Sequence, residues 1–125
     1  MAERAFAASI AEPAARTRAA LATALRVLNS YGITSAQDAA TMAGHVAALR
    51  DLESAGELTA RVVASLPVRP FLEDGVVGVE LLAAVREQGS ELVRPAFVKV
   101  VLDGVPTTRT TALFEPYLCP HGEPP

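Results

Sequence analysis

The feature that most constrains the fold of this sequence is an alternation of apolar, β-branched runs with segments of helical periodicity. Residues 58–66 and 97–102 are two such runs and predict strands, and a shorter run at 33–38 predicts a strand before them. Between these runs, residues 41–55 and 79–88 repeat apolar side chains at helical spacing. Strands separated by helices of this length pair in parallel through right-handed crossovers. The sequence therefore predicts an α/β fold with the order β-α-β-α-β.

A further helix is predicted over residues 13–31, ahead of the first strand. Pro13 suits a first helical turn, and Gly32 is a typical stop signal. Residues 1–12 are expected to form an N-terminal extension, and residues 103–125, with five prolines and two glycines, a loop and tail. At 125 residues the chain fits one domain, 1–125.

Charge and hydropathy exclude several classes of partner. Eleven basic and 14 acidic residues give a net charge of -3, which lacks the basic character of a nucleic-acid or anionic-membrane surface. No apolar run approaches the roughly 20 residues of a membrane helix, because Arg26 and Arg86 interrupt the most apolar stretches. The N-terminus lacks the apolar core of a signal peptide, and the lone Cys119 excludes a disulfide within the chain. We therefore expect a cytoplasmic protein.

Lys99 is the one lysine among the eleven basic residues, and it lies inside the most apolar strand. Alternation predicts one strand face made of Phe97, Lys99 and Val101. Burying an ammonium is costly, whereas a neutral lysine can act as a base, form a Schiff base or react with carbon dioxide to give a carbamate. The alternative is an edge lysine that discourages aggregation or extends its amine to solvent.

Polar residues follow two of the predicted strands at their carboxyl ends. Asp103, Gly104 and Arg109 come after the last strand, and Gln37 and Asp38 end the first. Loops at the carboxyl ends of parallel strands line the ligand site in α/β folds. Gln37, Asp103, Gly104 and Arg109 are therefore candidate substrate-binding residues. The alternative is an Asp-Gly turn with a solvated arginine, with Asp38 capping the next helix.

Other candidate motifs are weak. His45 and His121 have no second histidine or cysteine at ligand spacing, so a self-contained zinc site is not expected. Cys119 has no neighbouring base, and the glycine pair at 75–78 lacks the lysine and serine of a phosphate loop.

Three parallel strands alone would leave two open edges and an incompletely covered sheet face. We therefore expect either a homo-oligomer or a larger α/β assembly to which this chain contributes a part.

Three blocks of sequence resemble one family, the YtcJ-like amidohydrolases of amidohydrolase family 3. Residues 31–39 read YGITSAQDA and are similar to its GITS-x-QDA stretch, and residues 56–62 read GELTARV and are similar to its strand-opening motif. Residues 98–106 and 109–117, with VKVVLDGVP, RTTAL and EPY, resemble a third family block. The blocks occur in the family's order and together span about residues 13–119.

The resemblance implies a segment of a distorted (β/α)8 barrel that hydrolyses non-peptide carbon–nitrogen bonds of small amide-type substrates with divalent metals, zinc by expectation. Lys99 falls on the fourth-strand lysine that is carbamylated in some members and ligates the metals. A carbamate offers two oxygens that can bridge two cations, which activate water. The loop from Asp103 would border the substrate, with Arg109 reaching the substrate or bracing the loop.

The sequence also departs from the family pattern. The family's first-strand histidine pair, its later-strand histidines and its last-strand aspartate have no counterpart, so about barrel strands two to four are present. We therefore expect the chain alone to be catalytically incomplete and to bind no metal. The alternatives are a non-catalytic α/β oligomerisation or interaction module derived from the fold, and a subunit completed by a second chain.

Overall fold

The computed structural model describes residues 13–70 and 76–118. Strands and helices alternate along it, which confirms the predicted α/β order with a preceding helix. The elements are α1 (Pro13–Ser30), β1 (Ser35–Asp38), α2 (Ala43–Ser54), β2 (Arg61–Pro67), α3 (Gly78–Arg86), β3 (Val93–Lys99) and a 3-10 helix (Pro106–Thr108).

The three strands form one parallel sheet in the order β1-β2-β3, with β2 in the centre. Val62 of β2 lies opposite Val93 of β3, and an irregularity follows Ala64, after which Ser65 lies opposite Phe97. Each crossover between neighbouring strands is a helix, as parallel pairing requires.

The helices begin and end where local sequence chemistry allows. α1 starts at Pro13, where the absent N–H costs no hydrogen bond. Gly32 then takes a φ of 73°, a left-handed conformation that glycine adopts without a Cβ clash. The chain turns there into β1.

The helices and one face of the sheet share a single apolar core. The helix-facing side of β2 consists of Val62, Ala64 and Leu66, all buried. Against it lie buried leucines and valines from α1, α2 and α3: Leu25, Val46, Leu49, Leu52, Leu81 and Val85. Burying this apolar area is the main favourable term in the folding of the chain.

The predicted boundaries need correction at all three strands, and β1, expected over 33–38, spans Ser35–Asp38. β3 was expected over 97–102 but runs over Val93–Lys99, because its pairing with β2 begins at Val62 opposite Val93 and ends at Pro67 opposite Lys99. β2 was expected over 58–66 and instead spans Arg61–Pro67. Apolar composition predicted that these strands exist, whereas the pairing determines where they start and stop.

The residue that opens α2 also differs from expectation. Thr41 was a candidate cap, but the helix begins after Met42, whose backbone is extended. Thr41 is buried instead, and its N–H donates to the Ser65 carbonyl at 2.9 Å. That bond fastens the β1–α2 turn to the end of β2.

The second face of the sheet carries none of the helices in the described ranges. It presents the odd-numbered residues of β2 and their register neighbours, away from the apolar core. Helices on one face alone are what a segment of a (β/α)8 barrel has, since the other face lines the barrel interior. Within the part of the chain that the structure describes, no helix is long and apolar enough to cross a membrane.

Candidate functional site

The sheet face that carries none of the described helices gathers polar side chains near the carboxyl ends of the strands, and Ser65 and Pro67 on it are buried. The register sets Gln37 beside Val63, Phe97 beside Ser65, and Lys99 beside Pro67. Because residues opposite each other in neighbouring strands share a face, Gln37, Ser65, Phe97 and Lys99 form one surface. We call this surface the open face.

A hydrogen bond between neighbouring strands holds Gln37 on the open face. Its side-chain Nε2 donates to the Ser65 hydroxyl oxygen at 2.8 Å. Ser65 is only 3% exposed, so it is a fixed anchor, whereas Gln37 is exposed. With Nε2 engaged, the amide oxygen of Gln37 is left as the acceptor for a ligand.

Lys99 is the last residue of β3 and is partly buried. In the described ranges, its ammonium has neither a hydrogen bond nor an ion pair. Its neighbour on the same face, Phe97, is 55% exposed. The amine therefore lies near the Phe97 ring at the carboxyl end of the sheet, and none of the described carboxylates forms an ion pair with it.

Asp38 and His45 secure the turn into α2. One carboxylate oxygen of Asp38 accepts the Ala40 N–H at 3.2 Å. The Nδ1 of His45 accepts the Met42 N–H at 3.4 Å and lies 3.9 Å from the other Asp38 oxygen. Asp38 stabilises the turn, and the acceptor at the helix start is the His45 ring.

The loop after β3 is closed on itself by hydrogen bonds. The Gly104 N–H donates to the Thr110 carbonyl at 3.0 Å, and the Asp103 carboxylate accepts the Ala112 N–H at 2.9 Å. A Cβ at position 104 would overlap Thr110, so only glycine permits this approach. Arg109 is exposed, with a left-handed φ of 56°. Asp103 and Gly104 thus shape the loop, while the Arg109 guanidinium faces solvent.

A shallow, open depression of about 330 Å³ lies at the opposite, amino end of the sheet. Its lining comes from the segments leading into the strands, including Thr34, Thr59 and Arg61. It contains none of the predicted site residues. Since ligand sites of parallel α/β folds form at the carboxyl ends of strands, the open face is the better candidate.

Comparison with known protein families identifies the family of this chain. The sequence model of the Amidohydrolase family, in its family 3 form, matches residues 1–125. The chain belongs to amidohydrolase family 3. No curated protein and no solved structure gives a significant match.

Family 3 amidohydrolases are typically metal-dependent, and the described residues can be tested against such a centre. No group of three or more histidine, cysteine, aspartate or glutamate side chains comes together in residues 13–70 and 76–118. Toward the carboxyl end of the open face, the described polar neighbours of Lys99 are an amide and a hydroxyl, Gln37 and Ser65, and Arg94, further toward the amino end, is a cation and no metal ligand. These residues do not fit a metal ion on their own. His121 and Cys119 lie outside the described residues.

The predicted site residues divide between the open face and the loop after β3. Gln37 and Lys99, both predicted site residues, lie on it, whereas Asp103, Gly104 and Arg109 lie in the adjoining closed loop. Ser65 was missed by sequence reasoning. Its signal was present, since it is the one hydroxyl residue within the apolar run 61–67.

Proposed function

We propose that this chain is the part of a YtcJ-like amidohydrolase that carries barrel strands two to four, and that it hydrolyses non-peptide carbon–nitrogen bonds only within a completed barrel. In that reaction water adds across the bond, with the hydroxyl going to the carbonyl carbon and the proton to the nitrogen. The observation that carries the proposal is the open face, where polar residues lie near the carboxyl ends of parallel strands and the helices of the described residues lie on the other side.

Each candidate residue has a distinct part in this proposal. Lys99, as a carbamate, would be the ligand that the described part of this chain contributes to a divalent metal centre, zinc by expectation, and the other ligands would come from elsewhere in the completed barrel. Gln37, held by Ser65, offers its amide oxygen to an N–H of the small amide-type substrate. Asp103 and Gly104 keep the adjoining loop closed, and Arg109 lies on its exposed side.

The open face and the edge of β3 also indicate which macromolecular partner this chain has. The open face and the edge of β3 are satisfied by the rest of the barrel, whether it belongs to the same polypeptide or to another. The net charge of -3 supports neither a nucleic-acid nor an anionic-membrane partner. A cytoplasmic setting, with its reducing conditions, suits a chain whose single cysteine forms no internal disulfide.

A graft tests the proposal. In an active family 3 amidohydrolase, the stretch that corresponds to residues 13–118 is replaced by this chain's residues, and hydrolysis of the host's amide substrate is measured. We expect activity in the graft, and none in a host from which the stretch is deleted. The graft has to match the host in its mass in solution and in its circular dichroism spectrum.

A folded graft that binds the host's metal but hydrolyses nothing would contradict the proposal. It would favour the second candidate, a non-catalytic module. The observation that favours such a module is the apolar edge of β3, where Val98 is 58% exposed, and this surface suits association rather than chemistry.

A further inference from the structure

In the part of the chain that the structure describes, the edge of β3 away from β2 has no strand partner, and we call it the free edge. The Val68 N–H donates to the Lys99 carbonyl, so the backbone groups of Lys99 point toward β2 and those of Val98 point away from it. Just before β3, the Leu92 carbonyl accepts the Val62 N–H, so the backbone groups of Leu92 point toward β2. Because this direction alternates along the strand, the backbone groups of Pro95 point away from β2, as those of Val98 do. Proline, which has no N–H to donate, is typical of such a free edge.

Apolar side chains project from both faces of this edge. Phe97 on the open face is 55% exposed, and Val98 on the helix-facing side is 58% exposed. Beyond the strand, Leu102 is 89% exposed. An edge with unpaired backbone groups and exposed apolar side chains is a template for pairing with another strand.

We propose that two copies of the isolated chain pair antiparallel through β3, with Val98 on the two-fold axis, giving a continuous six-stranded sheet. The two Val98 residues exchange both of their outward backbone hydrogen bonds. A two-fold interface places the same surface patch on both copies, so a single edge strand is sufficient to build it.

The charges and length of β3 favour this register over those centred further toward its carboxyl end. With Val98 on the axis, Lys99 of each copy lies opposite Phe97 of the other, where an ammonium meets an aromatic face. A register centred one residue later would set Lys99 directly opposite its own copy, and like charges directly opposite are destabilising. A register centred on Val100 would lie beyond the end of β3.

The pairing of Lys99 with Phe97 favours a second copy of this chain, rather than an acidic partner, as the strand that binds this edge. Each β3 supplies both the cation and the aromatic ring of that pair. The proposal does not depend on hydrolysis. In a completed barrel the rest of the barrel takes the place of the second copy on the same edge.

Cysteine cross-linking tests the register. In a Cys119→Ser background, which removes the only native thiol, Val98→Cys should form an intermolecular disulfide under mild oxidation. The Cα atoms of a hydrogen-bonded antiparallel pair are about 5.5 Å apart, within disulfide range. The matched control is Val100→Cys, whose two copies would be roughly 13 Å apart at about 3.3 Å per residue and should not cross-link.

Sedimentation of the unmodified chain provides the second measurement, with a mass of twice 13.1 kDa expected at micromolar concentration. Val98→Asp, at an exposed position, should shift that mass to the monomer while leaving the helical circular dichroism signal unchanged. A monomeric unmodified chain would overturn the proposal, and so would a dimer that cross-links through Val100→Cys but not Val98→Cys.

Discussion

Replacing Lys99 by alanine in the active graft should abolish hydrolysis while leaving the fold intact. If Lys99 supplies a metal ligand to the reaction centre, its removal should lower activity by more than the roughly 10–100-fold typical of residues that only hydrogen-bond to a ligand. Lys99→Arg should fail equally, because it keeps the positive charge but a guanidinium does not form the carbamate. The measurement is kcat/KM on the host substrate, together with metal content of each variant.

The matched control is Arg94→Ala, which removes an exposed cation from the same strand. It should change kcat/KM little, because β3 places Arg94 near the amino end of the sheet, away from the end where Lys99 lies. Full activity in Lys99→Ala, or equal losses in both variants, would show that Lys99 is an ordinary edge lysine. Because Lys99 has no ion pair in the described residues, the substitution should leave stability within about 0.5 kcal/mol.

Leu52→Ala should be the most damaging substitution for the fold. Leu52 lies on α2 with no exposed surface, inside the cluster that joins the helices to β2. Truncating such a leucine costs about 2–5 kcal/mol, since both its transfer free energy and the cavity left behind count. Small domains are stable by only about 5–15 kcal/mol, so a large share of the stability would be lost. Urea unfolding followed by far-ultraviolet circular dichroism measures the change.

Leu82→Ala is the control for this effect, because Leu82 is a leucine on α3 with 38% of its surface exposed. Its loss should cost much less, about 1 kcal/mol or below, in keeping with partial burial. Equal costs for the two leucines would mean that α2 does not pack on the sheet as described.

The order of elements could be predicted from sequence because it depends on local signals. Helical spacing of apolar residues, Pro13 at a helix start and Gly32 after a helix end are readable without knowing any partner. The limits of β3 were not readable in this way. Its strongest apolar run continues to Leu102, but β2 offers pairing only as far as Lys99.

The residues of the candidate site also divide into those that local sequence predicts and those that depend on contacts between distant segments. Gln37 could be placed at a strand end by the parallel-sheet rule, and Lys99 on one strand face with Phe97 by alternation, whereas the position of Lys99 at the end of β3 was not predicted. The Ser65 anchor of Gln37 joins residues 28 positions apart, and therefore depends on a strand register that one strand's sequence does not contain. The closure of the loop by Asp103 and Gly104 likewise depends on contacts with Thr110 and Ala112 that the Asp-Gly pair alone does not predict.

The central claim is that this chain supplies part of a reaction centre and that the rest comes from outside it. The most direct measurement is elemental analysis of the isolated 125-residue chain, expressed with zinc and bicarbonate. We expect no stoichiometric metal in the chain, and the same result for Lys99→Ala. Stoichiometric zinc that disappears in Lys99→Ala would contradict it, because the chain would then have built a metal site from its own residues.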